Sequence, residues 1–167
     1  EMETAVGLDE LVNRRLLVKV EDDFRFTHDL VRKSAVAAIS PIRLKLLHSR
    51  AGRAREKFEP GAVAAIAHHF DVSGEWEKAM LYSQRAAQTA EALFAWQEAV
   101  LQYKHWLELL KKLDPDHKAL LHLELCGKVY GKLVLFHHNL GNLAARNECL
   151  GELEALVQSS QDPSLEL

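Results

Sequence analysis

From Gly61 onward the chain keeps a helical period in every segment, so this half can bury its apolar faces only by packing helix against helix. The spacing predicts helices over about 62–72, 75–93, 95–113, 116–137 and 141–159. Gly74, Asp114 with Pro115, and Asn139 to Gly141 supply the breaks. Glu59, Pro60 and Gly61 form the strongest interruption in the chain and mark the expected domain boundary, giving regions 1–58 and 59–167.

Within the second region, Val63, Ile66, Ala67 and Phe70, then Gly74, Trp76, Ala79 and Ala86, follow the alternation of large and small residues in a tetratricopeptide (TPR) helix pair. Ala67, Ala79 and Ala86 would let two helices approach closely while Phe70 and Trp76 fill the gap. Ser83 departs from that pattern, because a bulky residue is expected there. Trp96, Ala99, Tyr103 and Leu107 repeat part of the pattern 20 residues on, short of the roughly 34 of a regular array. A third, lengthened pair is suggested by Gly127, Tyr130, Gly141, Leu143, Leu150 and Leu153. The expectation is a TPR-like array with Phe70, Trp76, Trp96 and Tyr103 as candidates for a partner-binding groove.

The first region reads differently. Leu8, Leu11, Val12, Leu16 and Leu17 fall at helical spacing, Leu17 to Val20 form a β-like run, and Glu21, Asp22 and Asp23 make a polar turn. Phe24 and Phe26 return as a second strand that leads through Thr27, His28 and Asp29 into a helix begun by Leu30 and Val31. Thr27 or Asp29 is positioned to cap that helix, and Ser40 with Pro41 to start the next. The order helix, strand, turn, strand, helix is that of a winged-helix module. The fold class expected overall is therefore mostly α: a small winged-helix module with a β-wing, then TPR-like antiparallel helical repeats.

Charge and composition narrow the chemistry. The net charge is only −3, yet residues 32–57 hold eight basic side chains against Glu56 alone. This segment is amphipathic, and its basic face allows a nucleic-acid reading as well as that of a solvated helix surface. Cys126 and Cys149 lack a paired short spacing, which argues against a disulfide framework or zinc ribbon and suits a reducing cytoplasm. No apolar run reaches the roughly 20 residues that span a bilayer. The chain opens on Glu1 directly into a periodic segment, as an excised part of a longer protein would.

Catalytic constellations are missing from the sequence pattern. His28–Asp29 lacks the further ligands of a metal phosphohydrolase, and His68/His69 and His137/His138 diverge by about 100° on a helix, which suits one buried and one exposed ring. Gly127 to Lys132 is too short for a phosphate loop, follows no strand and lacks the hydroxyl residue after lysine.

The order of these parts resembles the signal-transduction ATPases with numerous domains (STAND), especially large bacterial transcriptional activators. The resemblance is carried by the helix ending in Arg14, Arg15, Leu16, Leu17; by Phe24, Arg25, Phe26; by His28, Asp29, Leu30, Val31, Arg32; by Ser40, Pro41 leading to Leu47, His48; and by Ala67, His68, His69, Phe70 through Gly74, Glu75, Trp76, Glu77, Lys78, Ala79. It implies that Thr27, His28, Asp29 correspond to a Met-His-Asp motif, with His28 touching a nucleotide phosphate and Asp29 orienting the turn. It implies ADP or ATP held by an upstream ATPase domain of the same chain, no cofactor or metal within these residues, a protein or small-molecule inducer, and DNA contact through another domain. The chain itself would be a non-catalytic regulatory part. Two other readings fit the same residues: a winged-helix nucleic-acid binder with a helical dimerisation tail, and a plain TPR-like docking scaffold.

Overall fold

Three of the helix-to-helix turns close with one backbone device, and that device sets the path of the chain. At the end of the first pair, Gly74 takes a left-handed φ of 88°, its N–H donates to Asp71 O at 3.0 Å, and the Glu75 N–H donates to Phe70 O at 2.9 Å. Gly141 (φ 69°) repeats the arrangement, with Asn142 N–H donating to His137 O at 2.9 Å. Between them Phe94 does the same at φ 56°, with Ala95 N–H donating to Ala90 O at 2.9 Å. Each is a Schellman closure that satisfies two terminal carbonyls. Glycine reaches that conformation freely, whereas at Phe94 an aromatic residue bears a cost of about 1–2 kcal/mol.

The computed structural model describes residues 2–21, 23–115 and 120–160. The described residues are mostly helical, with one two-stranded antiparallel sheet. In order they are α1 (Met2–Asn13), β1 (Leu17–Val20), β2 (Asp23–Phe26), α2 (Asp29–Ala37), α3 (Pro41–Phe58), α4 (Val63–Ser73), α5 (Trp76–Ala92), α6 (Trp96–Leu113), α7 (Leu120–Asn139) and α8 (Leu143–Ser160). The expected helices are thus present in the second region; the predicted start of α7 at 116–119, and Asp22 of the expected turn, lie outside the described residues. Two compact units divide between Leu44 and Lys45, inside α3 and upstream of the Glu59–Gly61 break.

In the first unit α1 stops at Asn13, before Leu16 and Leu17, because Arg15 turns left-handed (φ 56°) and the Leu16 N–H donates to Leu11 O at 2.9 Å. The strands pair with Leu17 opposite Phe26 and Lys19 opposite Phe24. Leu17 is the buried large apolar residue among the described residues of this unit. Val6, Phe24, Phe26, Leu30 and Ile42 are all exposed, Leu30 by 75% and Ile42 by 76%.

The second unit is a helix-on-helix stack. Asp71, late in α4, meets His105 at 3.1 Å and Lys112 at 2.7 Å in the second half of α6, so α4 and α6 run the same way and α5 runs back between them. Trp96 at the start of α6 stacks on Phe136 late in α7, with ring centroids 5.3 Å apart, so α7 reverses again. Ala79, Ala86, Ala87, Ala90 and Ala99 are buried where these helices meet, and their small side chains allow the close approach. The expected packing of Ala67, Ala79, Ala86 and Phe70 is present, but Trp76 is not the gap-filler anticipated, being 36% exposed.

Where α3 crosses α4, Gly52 exposes its bare backbone to the Phe70 ring. A Cβ there would stand 3.0 Å from Phe70 Cε1, and Phe70, with no exposed surface, has nowhere to retreat. Two alanine substitutions should therefore have opposite signs. Gly131→Ala, in α7 with nothing within 4 Å of the new methyl, should stabilise by about 0.5–1 kcal/mol through helix propensity. Gly52→Ala should destabilise by about 1–3 kcal/mol through overpacking. Denaturant unfolding of the two variants checks this; stabilisation by both would show that Phe70 does not rest on Gly52.

Candidate functional site

The strand-to-helix junction is held from behind. The Thr27 N–H donates to Leu16 O at 3.1 Å, and its hydroxyl donates to Arg15 O at 2.7 Å, tying the end of β2 to the segment between α1 and β1. Thr27 therefore does not cap α2, because its hydroxyl is already engaged behind it. Asp29 does not cap either: it is the first helical residue, and its carboxylate receives Arg32 and Lys33 at 2.8 Å each. Those hydrogen bonds, first Lys33 and then Arg32, hold the Asp29 carboxyl below its ordinary range. By contrast, Ser40 meets its expected role at the start of α3, where its hydroxyl accepts the Arg43 N–H at 3.4 Å.

His28 occupies the N-cap position in extended conformation (φ −137°, ψ 136°) without a side-chain cap. Its carbonyl accepts from Val31 and Arg32. The residue is exposed, and its ring makes no hydrogen bond with the described residues. The junction thus fixes the backbone of His28 and leaves the imidazole open to a ligand beside the first turn of α2.

The four aromatic residues assigned to a groove are not brought together on one face. Phe70 is fully buried, stacked on Tyr82 at 5.9 Å in the core with Ile66, Ala79 and Leu109. Tyr103 is 3% exposed and belongs to another core cluster, where its hydroxyl donates to Glu91 at 3.1 Å and receives Lys132 at 3.0 Å. Trp96 packs against that same cluster through Phe136. Trp76 alone of the set keeps an exposed ring, with Lys112 Nζ 5.9 Å above it. The reason is geometric: α6 covers the face of α4 and α5 that an isolated helix pair would present.

Two polar clusters lie in the second unit that the pattern of the sequence did not reveal. Ser83, fully buried where a bulky residue was expected, contacts His105 Nδ1 at 2.8 Å, while His105 Nε2 meets Asp71 at 3.1 Å and Asp71 receives Lys112 at 2.7 Å. The chain of contacts has the membership of a hydrolytic triad, but Ser83 sits mid-helix with no exposed surface, so no substrate reaches its oxygen. Its effect is to join α4, α5 and α6 through a satisfied network. Burial pushes the Asp71 carboxyl up, but the hydrogen bonds from Lys112 and His105 outweigh it and leave the group below its ordinary range. The signal in the sequence was the misfit at Ser83; its partners were too distant along the chain to identify.

The second cluster joins α3 to α4. His48 Nδ1 lies 3.1 Å from His69 Nδ1, and His68 completes a trio with ring centroids 5.1–5.9 Å apart. Burial, then the neighbouring imidazoles, hold His48 and His69 below the ordinary histidine range. Among the described residues no group of three metal-ligating side chains is placed to hold an ion. The expected division of the histidine pairs is present, with His69 and His137 the more buried and His68 and His138 exposed. Nearby, Ser49 donates to Glu75 at 2.6 Å, Arg53 reaches the same carboxylate at 3.1 Å, and Lys78 and Tyr82 each donate to Glu56 at 2.9 Å.

Comparison with known protein families, with curated proteins and with solved structures found no match for this chain.

The Ser83–His105–Asp71 network sets a pH test. With a folded-state pKa below that of the unfolded chain, Asp71 adds stability that is complete above about pH 4 and is lost as the pH falls through the folded value. Asp71→Asn should cost about 1–3 kcal/mol at neutral pH, and its melting temperature should fall less steeply on acidification than that of the unsubstituted protein. Parallel pH profiles for the two proteins would contradict the assignment.

Proposed function

We propose that this chain is a regulatory, non-catalytic arm in which the first unit serves as a winged-helix module reporting the nucleotide state of an ATPase domain in the same polypeptide. The observation that carries this reading is the uncovered apolar surface of that unit. Val6, Phe24, Phe26, Leu30 and Ile42 remain exposed in the unit that carries the open His28 ring. A unit this small gains little from its own core, and apolar side chains left in water are the signature of a surface made to be covered. Docked on a nucleotide-binding domain, His28 would donate a hydrogen bond to a phosphate of bound ADP, strengthened when the imidazole is protonated. The second unit, as a TPR-like stack, would bind a protein or small-molecule inducer and shift the closed state toward an open one through its different affinity for the two. DNA contact would fall to another domain, and the setting would be the cytoplasm.

Direct nucleic-acid binding is the less favoured reading. Arg32 and Lys33 are paired with Asp29, Arg53 with Glu75 and Arg55 with Glu59, so half of the basic run is already engaged by carboxylates.

His28→Ala in the polypeptide that carries the ATPase domain should speed ADP release about tenfold or more, the loss of one charge-assisted hydrogen bond. Thr27→Met, which restores the motif of the ATPases that this junction resembles, should leave release slow. Stopped-flow release of a fluorescent ADP checks both; unchanged release in His28→Ala would contradict the sensor role.

A further inference from the structure

Among the described residues of α3 only Gly52 is buried, so the stretch from Lys45 to Phe58 is held on α4 and α5 by that close approach and by polar contacts. Toward its C-terminal end Glu56 receives Lys78 and Tyr82, and near its middle Ser49 and Arg53 reach Glu75. At its N-terminal end His48 meets His69 of α4, a contact made of two bases.

Two imidazole nitrogens 3.1 Å apart share one proton: one Nδ1 carries the hydrogen and the other accepts it on a lone pair. A first added proton can go to the far nitrogen of the donating ring and leave the contact in place. A second must go onto the accepting Nδ1, which sets two N–H groups and two positive charges face to face. His68 brings a third base, its ring centroid 5.8 Å from that of His48 and 5.9 Å from that of His69.

The surroundings add to the repulsion. The other charged side chains on this stretch of α3 are Lys45, Arg50, Arg53, Arg55, Lys57 and Glu56, and Glu56 is taken by Lys78. Arg55 is paired with Glu59 and still acts on His69. On α4, Asp71 is held by Lys112 and His105; at the start of α5, Glu75 is held by Arg53 and Glu77 is exposed. Burial first, then the neighbouring imidazoles and, at His69, Arg55, hold both rings below the ordinary histidine range. Their folded-state values therefore lie under those of the unfolded chain, and the stability they add is complete above about pH 6.5 and lost as the pH falls through the folded values. The carboxylate contacts last to lower pH. Burial pushes Glu56 up, but the hydrogen bonds from Lys78 and Tyr82 outweigh it and leave the group below its ordinary range.

We propose that His48 and His69 form an acid-operated latch: while neutral they hold the His48 end of α3 on α4, and when both are protonated that end lifts, with α3 still anchored at Gly52 and Glu56. The chain enters the second unit through this same end of α3, so the latch sets how firmly the link between the two units is held. The inference does not depend on the nucleotide-sensing reading of His28.

Hydrogen exchange of the full chain at pH 7.5 and 5.5, resolved by residue and expressed as protection relative to the free peptide rate, tests the latch. Protection of amides 46–51 should fall at least about tenfold at the lower pH, while that of α6 and α7 stays within about twofold. His69→Gln and His48→Gln, which cannot carry the second charge, should each abolish that fall, and His68→Gln should retain it. Unchanged protection of 46–51 between the two pH values, an equal loss throughout α6 and α7, or the same fall in a folded His69→Gln or His48→Gln variant would overturn the proposal. The comparison of the two pH values in the unsubstituted chain decides by itself if neither glutamine variant folds.

Discussion

The seating of Phe70 is the contact on which the second unit depends. Its ring, with no exposed surface, lies on the bare backbone of Gly52 in α3, stacks on Tyr82 of α5, and shares its core with Leu109 of α6. Four helices therefore meet at one side chain, whose burial contributes about 1.5–3 kcal/mol and whose removal would leave a cavity that none of them could close alone. The polar contacts around it follow from that placement. Glu56 receives Lys78 and Tyr82, Glu75 receives Ser49 and Arg53, and His48 meets His69, all because Gly52 lets α3 lie close to α4.

This arrangement separates stability from recognition. The second unit satisfies its helix ends with repeated turn closures and fills its interior with alanine, leucine and aromatic side chains. The first unit does the reverse. Its hairpin and junction are fixed by backbone bonds and by the Thr27 hydroxyl, while half of its described large apolar side chains are exposed to water. A segment built that way is shaped locally and completed by whatever covers it, which is what the sensor proposal requires.

The helices of the second unit were legible because turn chemistry is local. Gly74, Pro115 and Gly141 announced their breaks, and Ser40 with Pro41 announced α3. The α5–α6 turn was located by periodicity alone, since Phe94 adopts a left-handed φ that its residue type does not advertise. Which face of a helix pair stays open was not legible, because α6 decides it: Phe70 and Tyr103 became core, and Trp76 stayed outside. Ser83 looked like a defect in a repeat until His105 and Asp71, 22 and 12 residues away, supplied its partners. The N-cap position taken by His28 was signalled by the strand and helix patterns on either side, while the capping assigned to Thr27 failed because a carbonyl of the segment before β1 competes for the same hydroxyl.

The central claim is that the second unit holds itself together while the first awaits a covering surface. Native-state hydrogen exchange resolved by residue measures this directly. Amides of α4, α5 and α6 around Phe70 should exchange only through global unfolding, with the largest protection in the chain, and those of β2 and α2 should exchange several orders of magnitude faster, as local opening allows. Equal protection in the two units would contradict the account, since it would mean that the first is already complete.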